Sequence, residues 1–218
     1  MRKFEGIIFD MDGVIFDTER LGLESWIIVG ERYGFDNVEE TCKKCTGRNT
    51  ADSMEIIRQD FGDKIDIESL HGQVKEVFHS LIMERGLPIK PYAKEILSHL
   101  WNDGVKVGLA SSTEYSTVEN QLRSAGLFGY FDAIVGGNMV KHSKPEPEIY
   151  LLACEKLGVN PENTYAVEDS YNGIRSAFNA KMHPIMIPDL LKPDDEMKEK
   201  SECIFDNLSQ FEKFLYEE

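Results

Sequence analysis

Asp10 and Asp12 stand one residue apart in Phe9-Asp10-Met11-Asp12-Gly13, directly after the apolar run Ile7-Ile8-Phe9. Asp10 therefore falls where a buried strand would end. Two carboxylates this close repel each other, the more so where water is scarce. A divalent cation relieves that repulsion and leaves one carboxylate free to attack an electrophile. Gly13 gives the backbone freedom for a sharp turn after the pair. Taken alone, the motif also reads as a solvated, Asp-rich turn closing a hairpin.

Other polar groups recur in the same relation to apolar runs. Ser111-Ser112-Thr113 stands at the end of the run 105–111. Lys144 lies in Ser143-Lys144-Pro145-Glu146-Pro147, after the run at 131–137, and Glu168-Asp169-Ser170 closes the run that starts at Thr164. In a parallel sheet, ligands bind at the carboxyl ends of the strands. Three or four converging carboxylates would hold a hard cation such as Mg²⁺, which prefers oxygen ligands. The Ser111 hydroxyl and the Lys144 ammonium suit phosphate oxygens, and the N–H groups after Asp10 and Ser111, the latter that of Ser112, would add donors. Such a site would transfer phosphoryl groups, with Asp10 as nucleophile. Singly, each group has a plainer account: a serine cap, a solvated lysine, an acidic pair at a helix start. Their placement at successive strand ends favours the shared site.

The elements that must position them are readable. Strand-like runs at 4–10, 105–111, 131–137, 164–170 and 183–188, with a weak one at 202–206, alternate with helical stretches, which predicts βαβ units and a parallel sheet. Pro91 and Gly104 bracket one helix. Ser116-Thr-Val-Glu119 reads as a capping box for a second, which Gly126 closes, and Pro145 and Gly158 bracket a third. Residues 17–88 differ. Their apolar positions (Leu21, Trp26, Ile28, Val29; Met54, Ile57, Phe61; Val74, Val77, Phe78, Leu81) keep helical period, with no clear strand. A segment of about seventy residues is too long for a loop. It is expected to be a second, all-helical domain (17–88) inserted into a Rossmann-like α/β core (1–16 and 89–218), placed to cover the site.

The 218-residue chain is 41% hydrophobic and 29% charged, ordinary values for a globular protein. Its net charge of −15 argues against nucleic acid or an anionic membrane as partner. No apolar stretch approaches the roughly 20 residues of a membrane span, and the basic start runs too quickly into Glu5 and Asp10 for a signal peptide. A cytoplasmic location is expected. Cys42 and Cys45 form a C-x-x-C without a second pair, so packing is favoured over a metal or redox role.

The motifs Phe9-Asp10-Met11-Asp12-Gly13-Val14, Ala110-Ser111-Ser112, Lys144-Pro145 and Glu168-Asp169-Ser170, in this order, resemble the haloacid dehalogenase-like superfamily over essentially the whole chain. Asp17-Thr18-Glu19, Ser143-Lys144-Pro145-x-Pro147 and Glu168-Asp169-Ser170-x-x-Gly173 resemble the branch holding β-phosphoglucomutase and small sugar-phosphate phosphatases. The resemblance implies that Asp10 attacks phosphorus to give an aspartyl-phosphate. Asp12 would protonate the leaving alcohol and then activate water. Mg²⁺ would be held by the Asp10 carboxylate, the Asp12 backbone carbonyl and Asp169, with Glu168 close by. Ser111 and Lys144 would bind the phosphoryl oxygens, and residues 17–88 would form a helical cap.

Within that family Asp12 argues against dehalogenation and phosphonate cleavage, since a leaving alkoxide needs a proton donor and a halide does not. The mutases normally carry a cap histidine in line with Gly22, and an arginine on the loop that here reads Thr46-Gly47-Arg48-Asn49-Thr50, with Arg48 shifted by two positions. The missing histidine favours a phosphatase, with the mutase as alternative and a non-catalytic protein on the same fold as a third reading. Glu19, Arg48, Asn49 and Lys75 are the candidate specificity residues. The expected partner is a small phosphorylated metabolite, and the expected state a monomer.

Overall fold

Ile7, Ile8 and Phe9 are each fully buried, because the strand they form has neighbours on both edges and helices over both faces. In the computed structural model, which describes residues 4–45, 50–62 and 66–217, six parallel strands form one sheet. They are β1 (Gly6–Phe9), β2 (Lys106–Ser111), β3 (Ala133–Gly136), β4 (Thr164–Glu168), β5 (His183–Met186) and β6 (Cys203–Ile204), in the order β3-β2-β1-β4-β5-β6. Phe9 is level with Leu109 on one side and Val167 on the other. The chain order of the strands reverses between β1 and β4, so the ends of β1, β2 and β4 border the crevice that a doubly wound sheet offers to ligands.

The chain divides into two units, residues 1–16 with 89–218, and residues 17–88. In the first, helices α5 (Ala93–Asn102), α6 (Tyr115–Ser124), α7 (Glu148–Leu157), α8 (Tyr171–Asn179), α9 (Asp195–Lys200) and α10 (Leu208–Tyr216) accompany the sheet. Ile8, Ala110, Val135 and Ala166 pack with Ile149, Tyr150 and Ala153 of α7. In the second unit the described residues form α1 (Thr18–Tyr33), α2 (Val38–Cys45), α3 (Thr50–Phe61) and α4 (Ile67–Arg85). Leu21, Val29, Ile57, Val74, Val77 and Leu81 build its core with Ile67 and Leu70. No helix among the described residues is long and apolar enough to cross a membrane.

At the joint, Phe16 and Ile89 form an antiparallel bridge, and the Lys90 N–H donates to the Ile15 carbonyl at 2.9 Å. Within the helical unit, the Asp17 N–H donates to the Pro88 carbonyl, also at 2.9 Å.

Two helix starts differ from the sequence reading. α6 begins at Tyr115, so Ser116 sits inside the first turn rather than at the cap. The Tyr115 N–H is satisfied from outside, by the Asn138 side-chain carbonyl at 2.9 Å. α7 begins at Glu148, after Pro145 and Pro147, which leaves Lys144 on an irregular stretch. Gly104, Gly126 and Gly158 follow their helices with positive φ, as the glycine stop signals suggest.

Candidate active site

Each candidate side chain owes its place to the end of a strand. The Asp10 N–H donates to the Val167 carbonyl at 2.9 Å, extending the β1–β4 ladder by one residue and turning the Asp10 carboxylate into the crevice. Gly13, at φ 83°, matters for a second reason besides the turn. A Cβ there would stand 2.2 Å from Asp169 Oδ2, so only glycine lets the first loop close on Asp169. Gly173 does the same for Glu168, whose carboxyl carbon would be 1.9 Å from an added Cβ. The Ser170 hydroxyl accepts from the Gly173 N–H at 3.1 Å and donates to Glu168 Oε2 at 3.1 Å, capping α8 and fastening the carboxylate together.

Lys144 lies at the centre. Its ammonium donates to Asp10 Oδ1 at 2.6 Å, to Glu168 Oε1 at 2.6 Å and to the Ala110 carbonyl at 3.1 Å, all buried. Burial works against this charge, but Asp10 and Glu168 outweigh it and hold the amine above the usual lysine range. For Asp10, burial is the largest influence and pushes the carboxyl well above the usual carboxylate range; Lys144 opposes it, while Glu168 and Asp12 add to it. Tyr150, fully buried on α7, donates its hydroxyl to Glu168 Oε1 at 2.8 Å. Carboxylate oxygens of Asp10, Glu168 and Asp169 all lie within 4.8 Å of one another. Asp12, half-buried, accepts at Oδ2 from the Ser111 hydroxyl at 3.3 Å and the Thr113 hydroxyl at 3.0 Å.

Asp10, Asp12, Ser111, Lys144, Glu168 and Asp169 therefore share one crevice at the carboxyl edge of the sheet. The Ser112 side chain is exposed, and its carbonyl lies against Gly137. Glu19, half-buried in the first turn of α1, and Lys75, exposed on α4, belong to the helical unit. Arg48 and Asn49 lie outside the described residues. Cys42 is in no disulfide, and its thiol is pushed up to about 12, chiefly by burial with the neighbouring Cys45 adding, so little of it is thiolate at neutral pH. Sequence reasoning passes over Tyr150, and names Thr113 in the strand-end run without giving its hydroxyl a role. Thr113 stands in a run of hydroxyl residues at a strand end, a usable signal. Nothing local separates Tyr150 from an ordinary core aromatic.

The haloacid dehalogenase-like hydrolase family model matches residues 7–187. The chain belongs to that family. Among its curated relatives, a phosphorylated carbohydrates phosphatase of Thermotoga maritima is 36% identical over 185 residues, 83% of each chain. A fructose-1-phosphate phosphatase of Escherichia coli is 30% identical over 84% of this chain and 96% of its own. Among solved structures, a β-phosphoglucomutase from Clostridium difficile superposes with a TM-score of 0.76 at 26% identity, covering 97% of this chain and 96% of that one. These haloacid dehalogenase-like relatives thus include enzymes named for removing a phosphoryl group and one named for moving it.

Proposed function

We propose that this chain is a Mg²⁺-dependent phosphatase of a small phosphorylated metabolite, of the sugar-phosphate class, acting through an aspartyl-phosphate on Asp10. The observation that carries this reading is the buried Lys144 ammonium shared between Asp10 and Glu168, with Asp169 beside them. Three crowded carboxylates against one ammonium leave an excess of negative charge, and their donors are all hard oxygens. That set fits Mg²⁺, with Asp10 and Asp169 as holders and Glu168 close by. The Asp12 backbone carbonyl would complete the protein's share. When bound, Mg²⁺ supplies positive charge that lets an anionic ester approach an anionic nucleophile.

The chain's own residues then do the following. An Asp10 oxygen bonds to phosphorus as the bond from phosphorus to the ester oxygen breaks, and Asp12 gives that oxygen a proton to release the alcohol. Water next bonds to phosphorus, Asp12 takes its proton, and the bond to Asp10 breaks to free phosphate. Lys144 and Ser111, with the Ser112 N–H, hold the phosphoryl oxygens and stabilise the charge that builds on them. The helical unit acts as the cap and chooses the alcohol through Glu19, Arg48, Asn49 and Lys75.

A phosphosugar mutase is the second reading, kept by the likeness to the Clostridium difficile enzyme. Gly22 weighs against it, since glycine offers no side chain to delay water until a second hydroxyl arrives. The test is phosphate release from a panel of sugar phosphates. It should require Mg²⁺, stop in EDTA, and fall at least about 10⁴-fold in Asp10→Asn. β-Glucose 1-phosphate supplied with glucose 1,6-bisphosphate should give free phosphate as the main product. Stoichiometric glucose 6-phosphate with little phosphate would select the mutase, and full activity in a metal-stripped sample would remove the mechanism.

A further inference from the structure

We propose that Thr113 is a positioning residue for Asp12, holding one carboxylate oxygen so that the other handles the proton. The proposal rests on the reading of Asp12 as the group that protonates the leaving alcohol. Thr113 Oγ1 donates to Asp12 Oδ2 at 3.0 Å, a shorter bond than the 3.3 Å one from Ser111 Oγ to the same oxygen.

The Thr113 backbone is fastened on both sides. Its N–H donates to Ser111 Oγ at 3.0 Å, and its carbonyl accepts from the Gly137 N–H at 2.8 Å. Two glycines at the end of β3 make that contact possible. A Cβ on Gly137 would lie 2.1 Å from the Ser112 carbonyl oxygen, and one on Gly136 2.4 Å from the Tyr115 nitrogen. The strand end is thus pressed against residues 112–115, and the Thr113 hydroxyl projects from a fixed backbone.

An aspartate carboxylate turns easily about its last torsion, whose preferences are broad. The Thr113 hydroxyl donates its one proton to Oδ2 and restrains that torsion, and it stays there when Ser111 turns its own single proton to the phosphoryl oxygens. A proton carried by Asp12 then sits on Oδ1. When the ester bond breaks, its electron pair goes to the alcohol oxygen, the Oδ1–H bond breaks and the alcohol O–H forms. In the second half a water O–H bond breaks and Oδ1–H is restored. A carboxylate free to rotate would spend part of its time with the proton aimed elsewhere, which costs rate and not substrate affinity.

Leaving-group dependence separates this role from a structural one, because p-nitrophenolate departs without a proton and poorer leaving groups do not. Initial rates of Thr113→Val, Thr113→Ala and Thr113→Ser are measured in Mg²⁺ with p-nitrophenyl, phenyl and benzyl phosphate. Thr113→Val and Thr113→Ala should lose no more than about 2-fold in kcat/KM on p-nitrophenyl phosphate and about 10- to 100-fold on benzyl phosphate, a part of the 10²–10⁴-fold that a general acid supplies. Thr113→Ser should recover most of the benzyl phosphate rate. Equal losses on all three esters, or no loss at all, would overturn the proposal. Asp12→Asn run beside them should show the same tilt more steeply. If it falls equally on all esters, the acid role of Asp12 has failed; if it tilts while the Thr113 variants do not, only the positioning role has.

Discussion

Glycines at 13 and 173 are as much a part of the crevice as the carboxylates they face. Each leaves a gap that a single methyl group would fill, against Asp169 in one case and Glu168 in the other. Glu168 has no room to retreat, being fully buried and tied to Lys144, Tyr150 and Ser170. Gly173→Ala should therefore cost about 1–3 kcal/mol of stability, as overpacking does, despite the better helix propensity of alanine. It should also raise the Mg²⁺ concentration needed for half-maximal activity. Denaturant titration and a Mg²⁺ series measure the two effects, and an unchanged Mg²⁺ requirement would show that Glu168 does not shape the proposed metal site. That Asp10, Ser111 and Glu168 would stand at strand ends is legible in the sequence, because buried parallel strands are short apolar runs with sharp polar borders. What Gly173 is for is not legible. The clash it avoids is with a side chain that reaches back into the first turn of the helix that follows it, and only coordinates reveal that.

The irregular stretch before α7 holds Lys144 without a strand or helix of its own. Its backbone is instead fastened by neighbours. Glu148, in the first turn of α7, accepts from the Lys141 N–H at 3.1 Å and the His142 N–H at 2.8 Å. Ser176 and Asn179 of α8 donate to the Glu146 and Pro145 carbonyls. Those backbone bonds, first of all, draw the Glu148 pKa below its ordinary 4.5. A group whose folded pKa is depressed adds stability above its unfolded pKa and loses it as pH falls through the folded value. Glu148→Gln should melt below the wild type at pH 7, with the gap narrowing below about pH 4.5 and closing once Glu148 is protonated in the fold. A gap that persists in acid would mean that the glutamine disturbs packing instead. The helix stops at Gly104, Gly126 and Gly158 are local chemistry and hence readable. The start of α6 is not, because its cap comes from Asn138, 23 residues further on.

A protein of net charge −15 surrounds this crevice with a field that repels the anionic ester it is proposed to bind. Lys144 is too deeply buried, and too closely paired with Asp10 and Glu168, to attract anions from a distance. Added salt should therefore raise kcat/KM in saturating Mg²⁺, most of the change occurring by about 0.1 M, where the screening length is about 10 Å. A fall with salt would place an attractive cationic field at the mouth of the crevice.

The joint between the units carries one more consequence. Entry at Phe16 and exit at Ile89 run side by side, paired backbone to backbone, with Asp17 and Pro88 clasped just beyond. Seventy-odd residues thus leave and rejoin the α/β unit at adjacent backbone positions. A segment attached in this way is a cassette. Recombination at its two adjacent borders can replace it as a block while β1 keeps its place between β2 and β4. On the proposed reading, one lineage can then inherit its chemistry and its taste in substrates from different ancestors.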